Sequence, residues 1–278
     1  MPIEWFTAAR YGFTAAKAGY DYRHAVQRYW TKAKAFADRG ETQIVITGSP
    51  GAGKTVLIGQ MHGKARTLYY ENPDASLGVE TDAIQFGQWG KLVRTLPGQT
   101  NLRTAGEIDV YTNNTSLEGV IHVVDWGYSA PRTPAVLASL VNKDGIRTID
   151  QLREYNLRIE LDSLKFELAN IRRLFYSKRR PKWLVIAVNK VDLFYNDADR
   201  SLVYYHKDGE GLFASALKSL ETDLGASHLR IETIQVCASE ENFEYNGHKV
   251  ASCLERGQKD KILRDFVNSV AIIAESNQ

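Results

Sequence analysis

The chain has 278 residues, and 35 Lys+Arg against 33 Asp+Glu leave a formal net charge of +2. With 44% hydrophobic and 24% charged residues it can bury a full core, which excludes disorder, low-complexity repeats and dependence on a disulfide framework. Near-neutral charge also argues against a chain built to grip nucleic acid.

Residues 1–41 read as a helical extension. From Tyr22 the larger apolar positions fall at Val26, Tyr29, Trp30, Ala33, Phe36 and Ala37, a helical spacing that Gly40 closes as a C-cap. Upstream, Trp5, Phe6, Tyr11, Phe13 and Tyr20 make the segment strongly aromatic. It is either a helix packed on the domain behind it or a docking surface for a protein partner or a second copy of the chain.

Strand and helix patterns then alternate. Gln43–Thr47 reads as a buried strand, and Thr55–Lys64 as the start of a helix. Ala83–Phe86 and Lys91–Thr95 read as strands joined by a tight turn at Gly87–Gly90. Gly119–Asp125, Trp183–Val188 and Ile231–Val236 are further β-rich runs. Helical patterns cover about Thr148–Lys178, Gly211–Leu224 and Lys259–Ala274. Alternation of this kind predicts an α/β fold with a mainly parallel sheet and one antiparallel hairpin at its edge. Residues 42–278 form this domain, with an insertion at about 128–147 that carries Pro131 and Pro134. The stretch Asn242–Asn246 reads as surface loop, and His122, inside a strand, as structural.

Gly48-Ser49-Pro50-Gly51-Ala52-Gly53-Lys54-Thr55 fits G-x-x-x-x-G-K-[ST] at every constrained position, between a strand pattern and a helix pattern. Glycines let the backbone curl so that successive N–H groups face phosphates, and the helix N-terminus that follows adds favourable dipole charge. Lys54 would reach the β- and γ-phosphates, Thr55 would ligate Mg²⁺, and Val56 opens the helix behind the loop. The expected ligand is a nucleoside tri- or diphosphate.

Asn189-Lys190-Val191-Asp192 directly follows the Trp183–Val188 strand. A carboxylate such as Asp192 accepts two hydrogen bonds from guanine N1–H and the 2-amino group, which adenine does not supply. Asn189 would tie this loop to the phosphate loop, and Lys190 would lie along the base. Cys237-Ala238-Ser239 closes the last strand, where the Ala238 N–H would meet guanine O6. Cys237 and Cys253, the two cysteines of the chain, lack metal-ligand spacing.

With these three motifs in order, residues 42 to 275 resemble the TRAFAC class of P-loop GTPases, the Ras-like and translation-factor-like group. That resemblance implies a three-layer fold with helices flanking the sheet, Mg²⁺ as cofactor, and GTP and GDP as substrate and product. It also implies an Asp-x-x-Gly motif on the third strand. Thr95-Leu96-Pro97-Gly98-Gln99 resembles it with threonine in place of aspartate, whereas Asp125-Trp126-Gly127 keeps the aspartate but is one residue short. Counting strands favours Thr95, because Gly119–Asp125 then supplies the strand the family has between this motif and Asn189. Gly98 is thus expected at the γ-phosphate and Gln99 as the water-positioning residue, with Lys54 as the second catalytic group. Asp125 would partly offset the charge missing at Thr95. Thr81 is the expected switch threonine over Mg²⁺, with Thr67 as the fallback. Leu152-Arg153-Glu154-Tyr155-Asn156-Leu157 and the Thr95–Gln99 pattern are further similar to bacterial double-GTPase-type proteins associated with conflict or defence systems.

The expected function is a Mg²⁺-dependent GTPase switch, slow on its own, that controls a partner protein. The rivals are a hydrolytically weak GTP/GDP-binding adaptor and an ATP-using P-loop protein. No secretory leader and no apolar run near the ~18 residues of a membrane span is visible, so the expected location is cytoplasmic.

Overall fold

In a computed structural model of the chain, residues 44–61, 80–86, 89–96, 111, 117–176 and 180–276 are described. The helical extension expected over residues 1–41, Thr67, Gly98, Gln99 and the turn at 87–88 lie outside them.

The sheet has six strands: β1 (Ile44–Gly48), β2 (Glu80–Phe86), β3 (Trp89–Thr95), β4 (Gly119–Val124), β5 (Trp183–Val188) and β6 (Arg230–Gln235). Their spatial order is β2-β3-β1-β4-β5-β6. Every neighbouring pair is parallel except β2 and β3, an antiparallel hairpin at one edge. From β1 the chain order runs outward on one side only, through β4, β5 and β6, while β3 lies next to β1 on the other side with β2 at the edge. The loops leaving the parallel strands β1, β4, β5 and β6 collect at one end of the sheet. That end is where ligands sit in open parallel sheets.

β4 and β5 are buried along their whole length, as parallel strands covered on both faces must be. Strand alternation then sorts their side chains into two cores. Trp183, Val185 and Ala187 pack with α1 (Lys54–Met61) and with Phe266 and Val270 from the C-terminal helix. Leu184, Ile186 and Val188 pack on the opposite face with Leu164, Leu168 and Leu217 from two other helices. Three layers result. Gly119 is required by this packing, since a Cβ there would stand 2.0 Å from the Trp183 ring.

The elements covering the second face are α2 (Pro134–Asn142), α3 (Ile149–Tyr176), α4 (Ala198–Tyr205) and α5 (Gly211–Leu224). A small hairpin follows, β7 (Phe243–Tyr245) with β8 (His248–Val250), and the chain ends with α6 (Gln258–Ser276). One element adds to the sequence reading, and two findings correct it. The insertion holds the helix α2, capped by Thr133, whose hydroxyl accepts the Val136 N–H at 3.3 Å. The stretch expected as surface loop is β7, which buries Phe243 and Tyr245. The hairpin strands β2 and β3 begin earlier than expected, at Glu80 and Trp89. His122 is structural as expected, fully buried and paired to the Thr47 hydroxyl through Nδ1 at 2.8 Å.

Candidate functional site

The phosphate-loop sequence makes a tight curl between β1 and α1. Gly48, Gly51 and Gly53 all have positive φ, and each lies against a different element. A Cβ at Gly48 would meet the Val123 carbonyl oxygen of β4 at 2.2 Å, and one at Gly53 the Asn189 amide nitrogen at 2.4 Å. At Gly51 it would stand 3.2 Å from the Ser129 side chain. Glycine at these three places lets three segments close on the loop. The buried Lys54 ammonium donates to the Gly48 and Ser49 carbonyls at 2.9 and 2.8 Å, which holds it within the curl. Thr55 and Val56 follow in the first turn of α1, both half-buried.

Asn189 joins the phosphate loop to the loop after β6. Its amide donates to the Ala52 carbonyl at 2.9 Å, and its oxygen accepts the Ala238 N–H at 3.0 Å. The Ala238 N–H expected to meet guanine O6 is therefore engaged by Asn189 in this structure. Asp192 is buried two residues on from Lys190. Its carboxylate accepts the Cys237 thiol at 3.4 Å and the Glu241 N–H at 3.2 Å. Burial raises the Asp192 carboxyl above its usual range, and these two donors oppose the rise. Ser239 donates to Glu241 at 2.7 Å, so the loop closes on itself over the carboxylate. Cys253 adds a contact the sequence did not suggest: its thiol donates to the Asp192 carbonyl at 2.9 Å. Both cysteines of the chain touch Asp192. Burial pushes the Cys237 thiol up, and the charge of Asp192 adds to it, so Cys237 serves as a neutral donor.

Lys190 and Asp125 meet as an ion pair. The Lys190 ammonium turns to Asp125 Oδ2 at 2.7 Å and the Tyr128 carbonyl at 2.6 Å, leaving only its stem for a base. The physical cause is the Asp125 carboxylate, which is fully buried and needs a cation. The Ser129 hydroxyl donates to the same oxygen at 2.7 Å. Asp125 is thus committed to these partners and is not turned outward to offset the threonine at position 95. Asp125-Trp126-Gly127-Tyr128 is a tight turn, with positive φ at Trp126 and Gly127 and a 3.0 Å hydrogen bond from the Tyr128 N–H to the Asp125 carbonyl.

Behind this turn lies a second buried carboxyl. Glu160 of α3 accepts the Gly127 N–H at 3.0 Å and the Tyr205 hydroxyl. Burial first, and the charge of Asp125 second, hold its carboxyl well above the usual range. A neutral Glu160 leaves the negative charge on Asp125, where Lys190 balances it. Arg153 of α3 lies over the Trp126 and Tyr128 rings at 4.4 and 4.6 Å, and Asn156 donates to the Gly127 and Ser129 carbonyls, both at 2.8 Å.

Thr95 ends β3 with its Cα in register with Ile46 of β1, and β4 occupies the other side of β1. Thr81 stands near the start of β2, opposite Arg94, one strand further from the phosphate loop. Among the described residues no group of three or more His, Cys, Asp or Glu side chains could hold a metal. A magnesium ion here would have to be carried mainly by phosphate oxygens and water, with the half-buried Thr55 in the first turn of α1 as the candidate ligand. No helix among the described residues is long and apolar enough to cross a membrane.

No protein family and no curated protein sequence matches the chain. Solved structures are similar to it at low identity. A dimerization-deficient mutant of Toc33 from Arabidopsis thaliana matches with 10% identity and a TM-score of 0.48, over 90% of this chain and 94% of that one. The mammalian SRP receptor matches with 16% identity and a TM-score of 0.45, over 70% and 91%. The SRβ-GTP/SRX complex of the signal recognition particle receptor from Chaetomium thermophilum matches with 13% identity and a TM-score of 0.41, over 72% and 94%. The strand order and the loop between β1 and α1 themselves define a three-layer α/β P-loop fold.

Proposed function

We propose that the protein binds guanine nucleotide with Mg²⁺ and hydrolyses GTP to GDP and phosphate as a switch for a protein partner. The observation that carries this reading is Asn189, which bridges Ala52 and Ala238 and brings Asp192 to the end of the sheet that holds the phosphate loop. Phosphates would sit in the curl from Ser49 to Thr55, gaining backbone N–H donors and the charge of Lys54. Thr55 would hold magnesium, which supplies charge neutralisation at the β- and γ-oxygens when bound. Gly98 would meet the γ-phosphate, Gln99 would orient the attacking water, and Thr81 would close over the metal. The aromatic segment 1–41 is the surface we assign to a partner or a second copy of the chain.

A second reading, a GTP- or GDP-holding adaptor with little turnover, is favoured by one observation. Thr95 stands where an aspartate is expected, and Asp125 is committed to Lys190 and Ser129. Two measurements on the full chain test both. In equilibrium competition, GTP should displace a labelled GDP far better than ATP, and Asp192→Asn should transfer that preference to xanthosine triphosphate. Equal binding of ATP and GTP would overturn the base assignment. Single-turnover hydrolysis then separates enzyme from adaptor, with no phosphate release alongside tight retention selecting the adaptor.

A further inference from the structure

A cavity of about 310 Å³ lies beside the phosphate loop, walled by Ser49 and Pro50 on one side and by residues 129–133, α2 and α3 on the others. Among the described residues no carboxylate lines it. Its polar side chains are Ser49, Ser129, Arg132, Thr133, Tyr155 and Asn156. The Ser49 hydroxyl is buried, the residue being only 4% exposed, and has no hydrogen-bond partner among the described residues. Thr133 caps α2 here, so the positive end of that nine-residue helix opens on the same space. Arg132 immediately precedes the cap.

The position of Arg132 relative to the phosphates follows from its neighbours. Ser129 touches Gly51, as the 3.2 Å approach of a Cβ at that glycine shows. Three peptide units from there to Arg132 span at most about 11 Å. Asn156 pins the start of this segment through the Gly127 and Ser129 carbonyls, so the run that carries Arg132 is held against the loop. Among the described residues Arg132 makes no ion pair or hydrogen bond, and it lies exposed at the rim of the cavity, free to turn toward it. An exposed cation without a partner among the described residues, at the rim of a cavity beside a curl of N–H donors, is suited to an anion.

We propose that Arg132 is a catalytic residue supplied by the chain itself, whose guanidinium enters this cavity to contact the γ-phosphate of GTP and stabilise the charge that develops as the phosphoryl group is transferred to water. The inference rests on the reading of the site as a GTPase site. It adds one part to that reading: a cation built into the insertion after β4. In the step itself water attacks phosphorus, the bond to the β–γ bridging oxygen breaks, GDP takes the electron pair, and the proton lost by the water stays on the inorganic phosphate released. Arg132 gains and loses no proton; its fixed charge is closer to the transition state than to the ground state.

The test uses the full chain in three forms: wild type, Arg132→Ala and Arg132→Lys, with Lys143→Ala as a control on an exposed cation of the same insertion. GTP and GDP affinities are measured first, then single-turnover hydrolysis, then binding of GDP with aluminium fluoride, which mimics the transferring phosphoryl group. Loss of Arg132 should slow hydrolysis by about 100- to 1,000-fold, change the GDP affinity little, and abolish the aluminium fluoride complex. The lysine variant should recover little, because it lacks the planar fork. Wild-type hydrolysis or aluminium fluoride binding that survives Arg132→Ala unchanged would overturn the assignment while leaving the GTPase reading intact. So would a wild type that binds GTP but neither hydrolyses it nor forms the complex. A wild type that binds no guanine nucleotide removes both readings, and the affinity measurement alone reveals it.

Discussion

Asn189 offers the sharpest test of how the site is assembled. Replacing it with alanine removes two hydrogen bonds at once, to the Ala52 carbonyl and from the Ala238 N–H. Both partners are backbone groups of residues no more than 1% exposed, so each is left unpaired rather than handed to solvent. An unpaired buried polar group costs about 1–3 kcal/mol. Partial collapse of the loops brings the expected loss for the pair to about 2–4 kcal/mol. Urea denaturation of wild type and Asn189→Ala, with and without GDP, measures it. Because the bridge joins the phosphate loop to the loop after β6, the variant should also lose most of the stabilisation that saturating GDP gives the wild type. Asn189→Asp should not rescue it, since a carboxylate would face the Ala52 carbonyl. A variant within about 0.5 kcal/mol of wild type in both conditions would refute the idea that Asn189 couples the loops.

Three further outcomes are expected. Cys237→Ser should keep a donor to Asp192 and hold GDP affinity near wild type, whereas Cys237→Ala should lose about 5-fold, or roughly 1 kcal/mol, in a titration with labelled GDP; equal affinities would show that the thiol contact is idle. Gly119→Ala should lower stability by about 1–3 kcal/mol through overlap with the Trp183 ring, measured by urea unfolding, and leave GDP affinity unchanged. Glu160 keeps a proton in the folded chain that the unfolded chain releases above about pH 4.3, so its contribution is full below that value and is lost as pH rises toward its raised folded value, by up to ~1.4 kcal/mol per pH unit. Glu160→Gln should flatten that slope in unfolding curves taken across mildly acid to neutral pH, and parallel curves would place the proton elsewhere.

The strands and the long helices were legible because burial on both faces leaves unmistakable apolar runs: Trp183–Val188 and Gly211–Leu224 begin and end where the sequence places them. The phosphate loop was legible because its glycines are required by close approaches that no other residue permits. α2 was less so, since Leu140 is its one buried residue and its apolar face is correspondingly faint. Its start signal was nonetheless present as Thr133-Pro134, a capping hydroxyl followed by proline. The β7–β8 hairpin also had a local signal in Asn246-Gly247, both at positive φ, but strands of three residues gave it too little flanking pattern. The pairing of Lys190 with Asp125 could not be read at all, because it spans 65 positions and depends on how β4 and β5 lie side by side.

That pairing changes how the site holds together. The loop after β5 grips the phosphate loop directly, through Asn189 and Ala52. It also grips it by a second route: Lys190 neutralises Asp125, Asp125 takes the Ser129 hydroxyl, and Ser129 rests on Gly51. A fully buried carboxylate without its cation would cost several kcal/mol, so Lys190 cannot leave Asp125 to follow a base without the turn at 125–128 moving too. The same turn is fixed from behind by Glu160 and Asn156, and it leads directly into the segment that carries Arg132. The loop after β5, the loop between β1 and α1 and the start of the insertion are therefore mechanically one unit, which under the proposed function would join base recognition to phosphate binding. A change at the Asp192 loop is expected to be felt at the γ-phosphate end through packed, paired groups, without any help from the hairpin at the far edge of the sheet.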